Sequence, residues 1–292
     1  MQTEATPQIR KEDIQHILEK NGLGLLRYLK PISKGVESST YSLITEKETF
    51  VLTLFDADYV DLSNLKEITN HFCGMGFPFA QILATTYIQT RPALLSTHLP
   101  GKVKINLDES DYREIGFFLG NFHKCSDFYK PTNQSLPFIW QFSDIFYEIK
   151  SNIPNEFHKL EQEIFFLEEK WPHELPKGII HGDIWPKNIL FQEDSISGVL
   201  DFNPTYDPYI IDLANILKGI PKDNTPLQES LIRGYELARP LTTVEFESLD
   251  LVIYAKMLAS ILYLLEKSIL FPKRRDQFQT YALLNLLKLD LL

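Results

Sequence analysis

The chain has 292 residues, of which 44% are hydrophobic and 12% aromatic, and a formal net charge of −10. That length and composition give one large domain or two lobes with a substantial core, and they exclude a disordered chain. The acidic balance argues against nucleic acid or an anionic membrane as partner, because both select basic surfaces, and it accords with a cationic or amine-bearing substrate.

At the N-terminus, "MQTEATPQIRKEDIQ" lacks the apolar core of a secretory signal. Ile14, Ile17 and Leu18 fall at i, i+3 and i+4, which predicts a short amphipathic helix over residues 10–20, ended by Asn21-Gly22. Next, "TYSLIT" and "TFVLTLF" are rich in β-branched and aromatic residues and are separated by the charged turn "EKE". This is the pattern of a hairpin, preceded by a loop around Gly35. Leu62, Leu65 and Ile68 mark a helix, and "GMGFPF" is a connector punctuated by Gly and Pro. Residues 86–99 give a further strand pattern, closed by Pro100-Gly101.

Beyond that point helical periods dominate, in "DYREIGFFLGNFHKC", "FIWQFSDIFYEIK", "FHKLEQEIFFLEEKW" and, after "IIHGDIWPKNILF", almost everything to Leu292. The expected class is therefore α+β, with a small β-rich front (1–97) joined near residues 95–101 to a large, mostly helical back (98–292). The most apolar stretch, "LDLVIYAKMLASILYLLEKSILF", is interrupted by Lys256, Glu266 and Lys267, and is expected as a buried helix rather than a membrane span. The C-terminal "FQTYALLNLLKLDLL" is apolar on a helical period; packing onto its own lobe is the expected fate, and the seam of a homo-oligomer is the alternative. Cys73 and Cys125 have no ligand or CxxC spacing, which makes them lone buried thiols of a reducing compartment and the protein cytoplasmic.

The segment that carries chemistry is "IIHGDIWPKNILF", residues 179–191. Asp183 and Asn188 stand in a D-x-x-x-x-N spacing with His181 two residues ahead of the acid, and "SGVLDF" places Asp201 at the end of a later apolar strand. Strand, loop, strand is the expected order, and a hairpin brings its ends together, so the three polar side chains can face one point. Phosphoryl transfer from ATP needs such a set: a carboxylate to orient the attacking hydroxyl, and a second carboxylate with an amide oxygen to hold Mg²⁺. Each piece has a plainer meaning. Asp183 taken alone is equally a helix cap before Pro186, Asn188 a turn residue, and Asp201 before "FNP" an Asx-turn. His181 is expected to brace the loop rather than to react. The joint arrangement favours one phosphoryl-transfer site over separate turn accidents.

These residues resemble the aminoglycoside/choline phosphotransferase superfamily, whose fold is protein-kinase-like with two lobes. The segment "HGDIWPKNILF…GVLDFNPTYDPYIIDLA" is similar to its catalytic core, and "DPYIIDLA" to its D-P-x-x-x-D-L-A segment, with Asp212 at the position of a buried acid that supports the loop. Within the superfamily, "KGVESSTYSLIT", "FVLTLFD" and "RGYELARPLTTVEFESL" are closest to type II homoserine kinases. The resemblance implies Asp183 as catalytic base, Asn188 and Asp201 as Mg²⁺ ligands, and Gly35 to Ser39, with Ser38 and Ser39, as the loop over the ATP phosphates. It implies Leu95 to Leu99, with Thr97 and Leu99, as the hinge beside the adenine, contacted through backbone groups.

The chain departs from the family pattern at three places. Thr53 stands on the third strand where most kinases carry a basic residue, as it does in the type II homoserine kinases; Lys34 and Lys187 are the remaining candidates for a phosphate anchor, and each is equally a solvated lysine. Tyr254 and Ala259 replace the arginines of an R-G-A-A-L-R-F pattern, and "NILKGIP" replaces the N-D-W that follows D-L-A. Kinase chemistry is thus implied more firmly than homoserine. The expected function is ATP- and Mg²⁺-dependent phosphorylation of a hydroxyl on a small, amine-bearing metabolite, with L-homoserine the first expectation. The alternatives are an aminoglycoside, choline or sugar acceptor, or a nucleotide-binding pseudokinase.

Overall fold

Alternation of buried and half-buried residues builds the N-terminal sheet. The structure, a computed structural model, describes residues 9–34, 38–56, 60–126, 129 and 141–289. It divides into two compact units, Met1–Val103 with Asn188–Phe202, and Lys104–Lys187 with Asn203–Leu292. The division expected between residues 97 and 98 cut the chain once; these units also group residues 188–202 with the N-terminal part.

In the first unit, α1 (Lys11–Lys20) precedes β1 (Leu26–Lys34), β2 (Ser38–Thr45) and β3 (Thr49–Phe55). Side chains along β2 and β3 alternate with a period of two. Tyr41, Leu43, Phe50, Leu52 and Leu54 are thereby buried in one cluster with Ile14 and Leu18 of α1. The turn between these strands is held by Thr45, whose Oγ1 accepts from the amides of Lys47 and Glu48 at 3.2 and 3.1 Å. Next, α2 (Leu62–Gly74) is capped by Asp61, whose side chain accepts from the Asn64 amide at 3.0 Å.

β4 (Ile82–Ile88) and β5 (Arg91–Thr97) complete an antiparallel sheet of order β1-β2-β3-β5-β4. The single strand pattern expected over residues 86–99 is therefore two strands. The chain reverses at Gln89-Thr90, where Gln89 takes a left-handed φ of 58°. Such turns usually advertise themselves with Gly or Asn, and this one has neither. A short β6 (Lys102–Val103) follows.

The second unit begins with α3 (Glu109–Ser126), α4 (Gln141–Ile149), α5 (Leu160–Lys170) and β7 (Lys177–Ile180). The chain then returns to the first unit for β8 (Ile189–Gln192) and β9 (Ser195–Val199), a hairpin whose first strand also pairs with β6. The rest belongs to the second unit: β10 (Thr205–Pro208), α6 (Ile210–Leu217), α7 (Thr225–Ala238), α8 (Thr243–Leu270) and α9 (Arg275–Leu289). β10 pairs antiparallel with β7. Its sequence, "TYDP", has turn composition and gave no strand signal.

α8 starts with a capping box between Thr242 and Glu245. By length and composition it could cross a membrane, and 44% of its most apolar window is buried; it packs against α4, α5, α6 and α9. α9 packs on α8 and buries Phe278, Ala282, Leu286 and Leu289, while Tyr281, Leu284 and Leu287 stay exposed. α3 and α7 approach backbone to backbone: a Cβ on Gly116 would lie 2.0 Å from the Leu231 carbonyl oxygen, one on Gly120 2.5 Å from that of Tyr235, and one on Gly234 2.1 Å from that of Arg113. Cys73 and Cys125 are free thiols, half-buried rather than buried.

Candidate active site

In the first unit, the β8–β9 hairpin brings Asn188 and Asp201 to its open end. Asn188 is buried at the end of a 3₁₀ turn, Pro186–Asn188. Ile189 pairs with Val199, and the Leu200 amide donates to the Asn188 carbonyl at 2.7 Å. Phe202, on the other side of Asp201, stacks on Phe79 at 4.2 Å between ring centroids and meets Phe72 edge to face. With both neighbours pinned, Asp201 turns the chain at a left-handed φ of 55°. Asp tolerates that region better than most residues, and such backbone positions gather at functional sites.

Exposure and crowding meet at Asp201. The residue reaches solvent, yet enough protein atoms crowd its carboxylate to push its pKa up by desolvation, the one cause acting on it. Among the described residues nothing donates a hydrogen bond to it. A carboxylate and an amide oxygen are donors of the kind a hard divalent cation takes, which fits the groups present. Among the described residues no three His, Cys, Asp or Glu side chains form a metal cage. Were Asn188 and Asp201 to hold Mg²⁺, water and phosphate oxygens would have to complete the shell.

In the second unit, the loop after β7 carries His181, Gly182 and Asp183. Asp212, in the first turn of α6 and fully buried, accepts from the His181 amide at 2.6 Å and the Gly182 amide at 3.1 Å, one bond to each carboxylate oxygen. The Asn203 amide donates to the His181 carbonyl at 3.1 Å, and the His181 ring accepts from the Asp183 amide at 3.3 Å. Gly182 has a φ of 82°, and a Cβ there would lie 2.2 Å from the Asn203 carbonyl oxygen, so only glycine fits. Ile184 is fully buried and its carbonyl accepts from Asn215 Nδ2 at 2.5 Å. Asp183, between these fixed points, is exposed.

Behind the loop stands a buried network that sequence reasoning missed. His123 of α3 bonds Asp212 through Nε2 at 3.2 Å and the Tyr235 hydroxyl through Nδ1 at 2.8 Å. Arg239 donates to the Tyr235 oxygen at 3.1 Å and to Glu245 at 2.9 Å, and lies over the Tyr209 ring at 4.5 Å. Burial pushes the His123 pKa down despite the pull of Asp212, so the ring is neutral. An ionised Asp212 only accepts, which assigns the proton to Nε2 and leaves Nδ1 to accept from Tyr235. Burial alone would raise Asp212, but the hydrogen bonds it accepts from His123 and from the His181 amide outweigh it and hold the carboxyl low. Tyr235 is pushed up, chiefly by burial. The signal was present in part: "RPLTTVE" contains Arg239 and Glu245, but a single histidine 89 residues from its aspartate shows no spacing.

The expected nucleotide contacts lie in the first unit. Gly35, with Lys34's side chain and residues 36 and 37, lies outside the described residues. Ser38 and Ser39 open β2, paired with Phe55 and Leu54, and Ser39 is buried. The Thr97 amide donates to the Gln81 carbonyl and its hydroxyl accepts from the Gln81 amide, both at 3.0 Å. Leu99 backbone groups have no partner among the described residues. Thr53 is half-buried on β3. In the second unit, Lys187 lies over the Trp185 ring at 5.0 Å.

Residues 29–246 match the sequence profile of the phosphotransferase enzyme family. The homoserine kinase of Rhodospirillum rubrum is 30% identical over 262 residues, spanning 84% of this chain and 82% of that protein. Among solved structures, amicoumacin kinase hAmiN, in complex with AMP-PNP, Ca²⁺ and amicoumacin, superposes with a TM-score of 0.70 at 14% identity over 93% of this chain and 94% of its own. Choline kinase from Cryptosporidium parvum superposes with a TM-score of 0.70 at 15% identity over 96% of each chain. The fold is protein-kinase-like, and the chain belongs to the phosphotransferase enzyme family. It is an ATP-dependent small-molecule kinase with a hydroxyl acceptor, and a divalent metal ion such as Mg²⁺ is its cofactor.

Proposed function

We propose that this kinase transfers the γ-phosphate of ATP to the hydroxyl of L-homoserine, with Asp183 as catalytic base and Asn188 and Asp201 as the protein ligands of Mg²⁺. The acceptor is supported by the likeness to homoserine kinases over most of the chain. The observation that carries the chemistry is the build of the Asp183 loop. Asp212 grips the two preceding amides and Asn215 the following carbonyl, so the loop is set before substrate arrives. On that fixed loop the exposed Asp183 orients the acceptor hydroxyl and takes its proton as the O–P bond forms. The ion, when bound, neutralises charge on the transferring phosphates. His181 and Asp212 act through the loop and touch no substrate.

Gly35, Ser38 and Ser39 are assigned to the loop over the phosphates, and Thr97 and Leu99 to the hinge, where the open Leu99 backbone groups suit an adenine. Free Cys73 and Cys125 support a reducing, cytoplasmic setting. Turnover of purified protein with ATP and Mg²⁺ should be highest on L-homoserine in a panel with choline, aminoglycosides and sugars. An Asp183→Ala variant should lose about 10²–10⁴-fold in rate. A preference for choline or an aminoglycoside would reassign the acceptor, and an undiminished Asp183→Ala enzyme would remove Asp183 from its role.

A further inference from the structure

We propose that Tyr235 and Arg239 are positioning residues of the phosphoryl transfer, acting through His123 and Asp212 to hold the loop that carries Asp183. The inference rests on the reading of Asp183 as catalytic base and extends it to a segment that reading leaves unused. That segment, "RGYELARPLTTVEFESL", carries part of the likeness to type II homoserine kinases and lies outside the catalytic motif. In the second unit it supplies Tyr235 from α7, Arg239 at the end of that helix and Glu245 from α8.

These side chains form one directed line of hydrogen bonds that ends on the loop. A single Arg239 guanidinium nitrogen donates to the fully buried Glu245 at 2.9 Å and to the Tyr235 oxygen at 3.1 Å. The Tyr235 hydroxyl meets His123 Nδ1 at 2.8 Å, and His123 Nε2 meets Asp212 Oδ2 at 3.2 Å. Asp212 in turn accepts from the amides of His181 and Gly182, the two residues before Asp183. Tyr235, His123 and Asp212 are all fully buried, so bulk water does not compete for these bonds.

The two ends fix the direction of everything between them. A guanidinium only donates and a carboxylate only accepts, whereas a phenol and an imidazole can each turn either way. One arrangement makes every bond: Arg239 to Tyr235, Tyr235 to Nδ1, and Nε2–H to Asp212. The other tautomer would set an imidazole lone pair against an Asp212 oxygen, in a buried site where an unmade bond costs most. Asp212 Oδ2 serves both His123 and the His181 amide, so a change at His123 reaches the loop through one atom. The groups facing His123 are Asp212 of α6, the Tyr209 ring ahead of that helix, Tyr235 and Arg239 of the α7 end, and Glu245 of α8. Burial and Arg239 oppose a second proton on the imidazole, against Asp212 and Glu245. The Tyr235 hydrogen also occupies the place at Nδ1 where that proton would go.

Steady-state kinetics with ATP, Mg²⁺ and L-homoserine, or whichever acceptor the panel favours, test the assignment across the pH range in which histidine titrates. Tyr235→Phe keeps the ring and should lower kcat about tenfold, with the KM values for ATP and acceptor changed far less. The acid limb of its kcat profile should move to higher pH, because Nδ1 is then open to a proton. Arg239→Lys should retain more kcat than Arg239→Met, since an ammonium still only donates. His123→Gln can donate to Asp212 and accept from Tyr235 but cannot titrate. It should keep more kcat than His123→Leu, and combined with Tyr235→Phe it should abolish the acid shift. A folded Tyr235→Phe enzyme with wild-type kcat and pH profile overturns the positioning role, whatever its Tm, because a merely structural chain shows in melting alone. Losses confined to the acceptor KM overturn it as well. A crippled Asp183→Ala enzyme beside an unaltered Tyr235→Phe removes this inference alone, and an undiminished Asp183→Ala enzyme removes both it and the reading beneath it. Where Arg239→Met fails to fold with Glu245 left unpaired, Tyr235→Phe and the two His123 variants decide.

Discussion

Asp201 and Asp212 are eleven positions apart in the chain and are opposite kinds of carboxylate. Asp212 is buried and saturated, with two amides on its oxygens and a neutral imidazole beside them, and its pKa is held low. Asp201 is crowded but receives no donor from the described residues, and its pKa is pushed up. The difference separates two uses of one residue type. A carboxylate whose hydrogen-bonding capacity is filled by the protein maintains structure, and one left unfilled and open to solvent keeps its oxygens available, as the role proposed for Asp201 requires.

That contrast can be broken at either end. The largest effect expected is on Asp201→Asn, which should lower turnover about a thousandfold or more, while its Tm without Mg²⁺ equals or exceeds that of the wild type. Added Mg²⁺ and nucleotide should raise the wild-type Tm and not that of the variant. Asp212→Asn should do the reverse in kind: removing one charge from a filled, buried network should cost about 3–5 kcal/mol of stability in urea unfolding, with activity falling because the loop loosens. If Asp201→Asn unfolded the protein, or Asp212→Asn left its stability intact, the distinction would fail.

His123 sharpens the comparison through pH. Its folded pKa is depressed, so below about pH 6.5 the unfolded chain takes up a proton that the folded one refuses. This contribution is fully present above about pH 6.5 and is lost as the pH falls through the folded value, by up to about 1.4 kcal/mol per pH unit. Asp212 has the same sign at lower pH, lost below about 3.9. Urea midpoints between pH 5 and 8 should therefore fall on the acid side, with a shallower slope in His123→Gln. The smallest effect belongs to Thr242→Ala, which removes half of the capping box and should cost about 1 kcal/mol without changing kcat.

Much of this was legible in the sequence where the physics is local. Period-two alternation marked β2 and β3, i, i+3, i+4 spacing marked α1, i, i+3, i+6 spacing marked α2, and the D-x-x-x-x-N spacing with a later strand-end aspartate marked the hairpin end and the loop. Illegible features were those decided by tertiary contact. Gln89 takes a left-handed turn without the residues that signal one, and "TYDP" becomes a strand because β7 is there to pair with it. His123 gains its meaning from partners 89 and 112 residues away.

The glycines between α3 and α7 bear on anyone engineering this kinase. Replacing a helical glycine with alanine is a common route to a sturdier protein, worth up to about 1 kcal/mol at open sites. At Gly116, Gly120 and Gly234 the helices touch through their main chains, so the same replacement would wedge them apart. The two helices carry His123 and Tyr235, and the wedge would be felt at the hydrogen bond between them. Thermostabilisation guided by helix propensity alone would thus degrade the enzyme at these positions, and they should be held fixed in any mutant library.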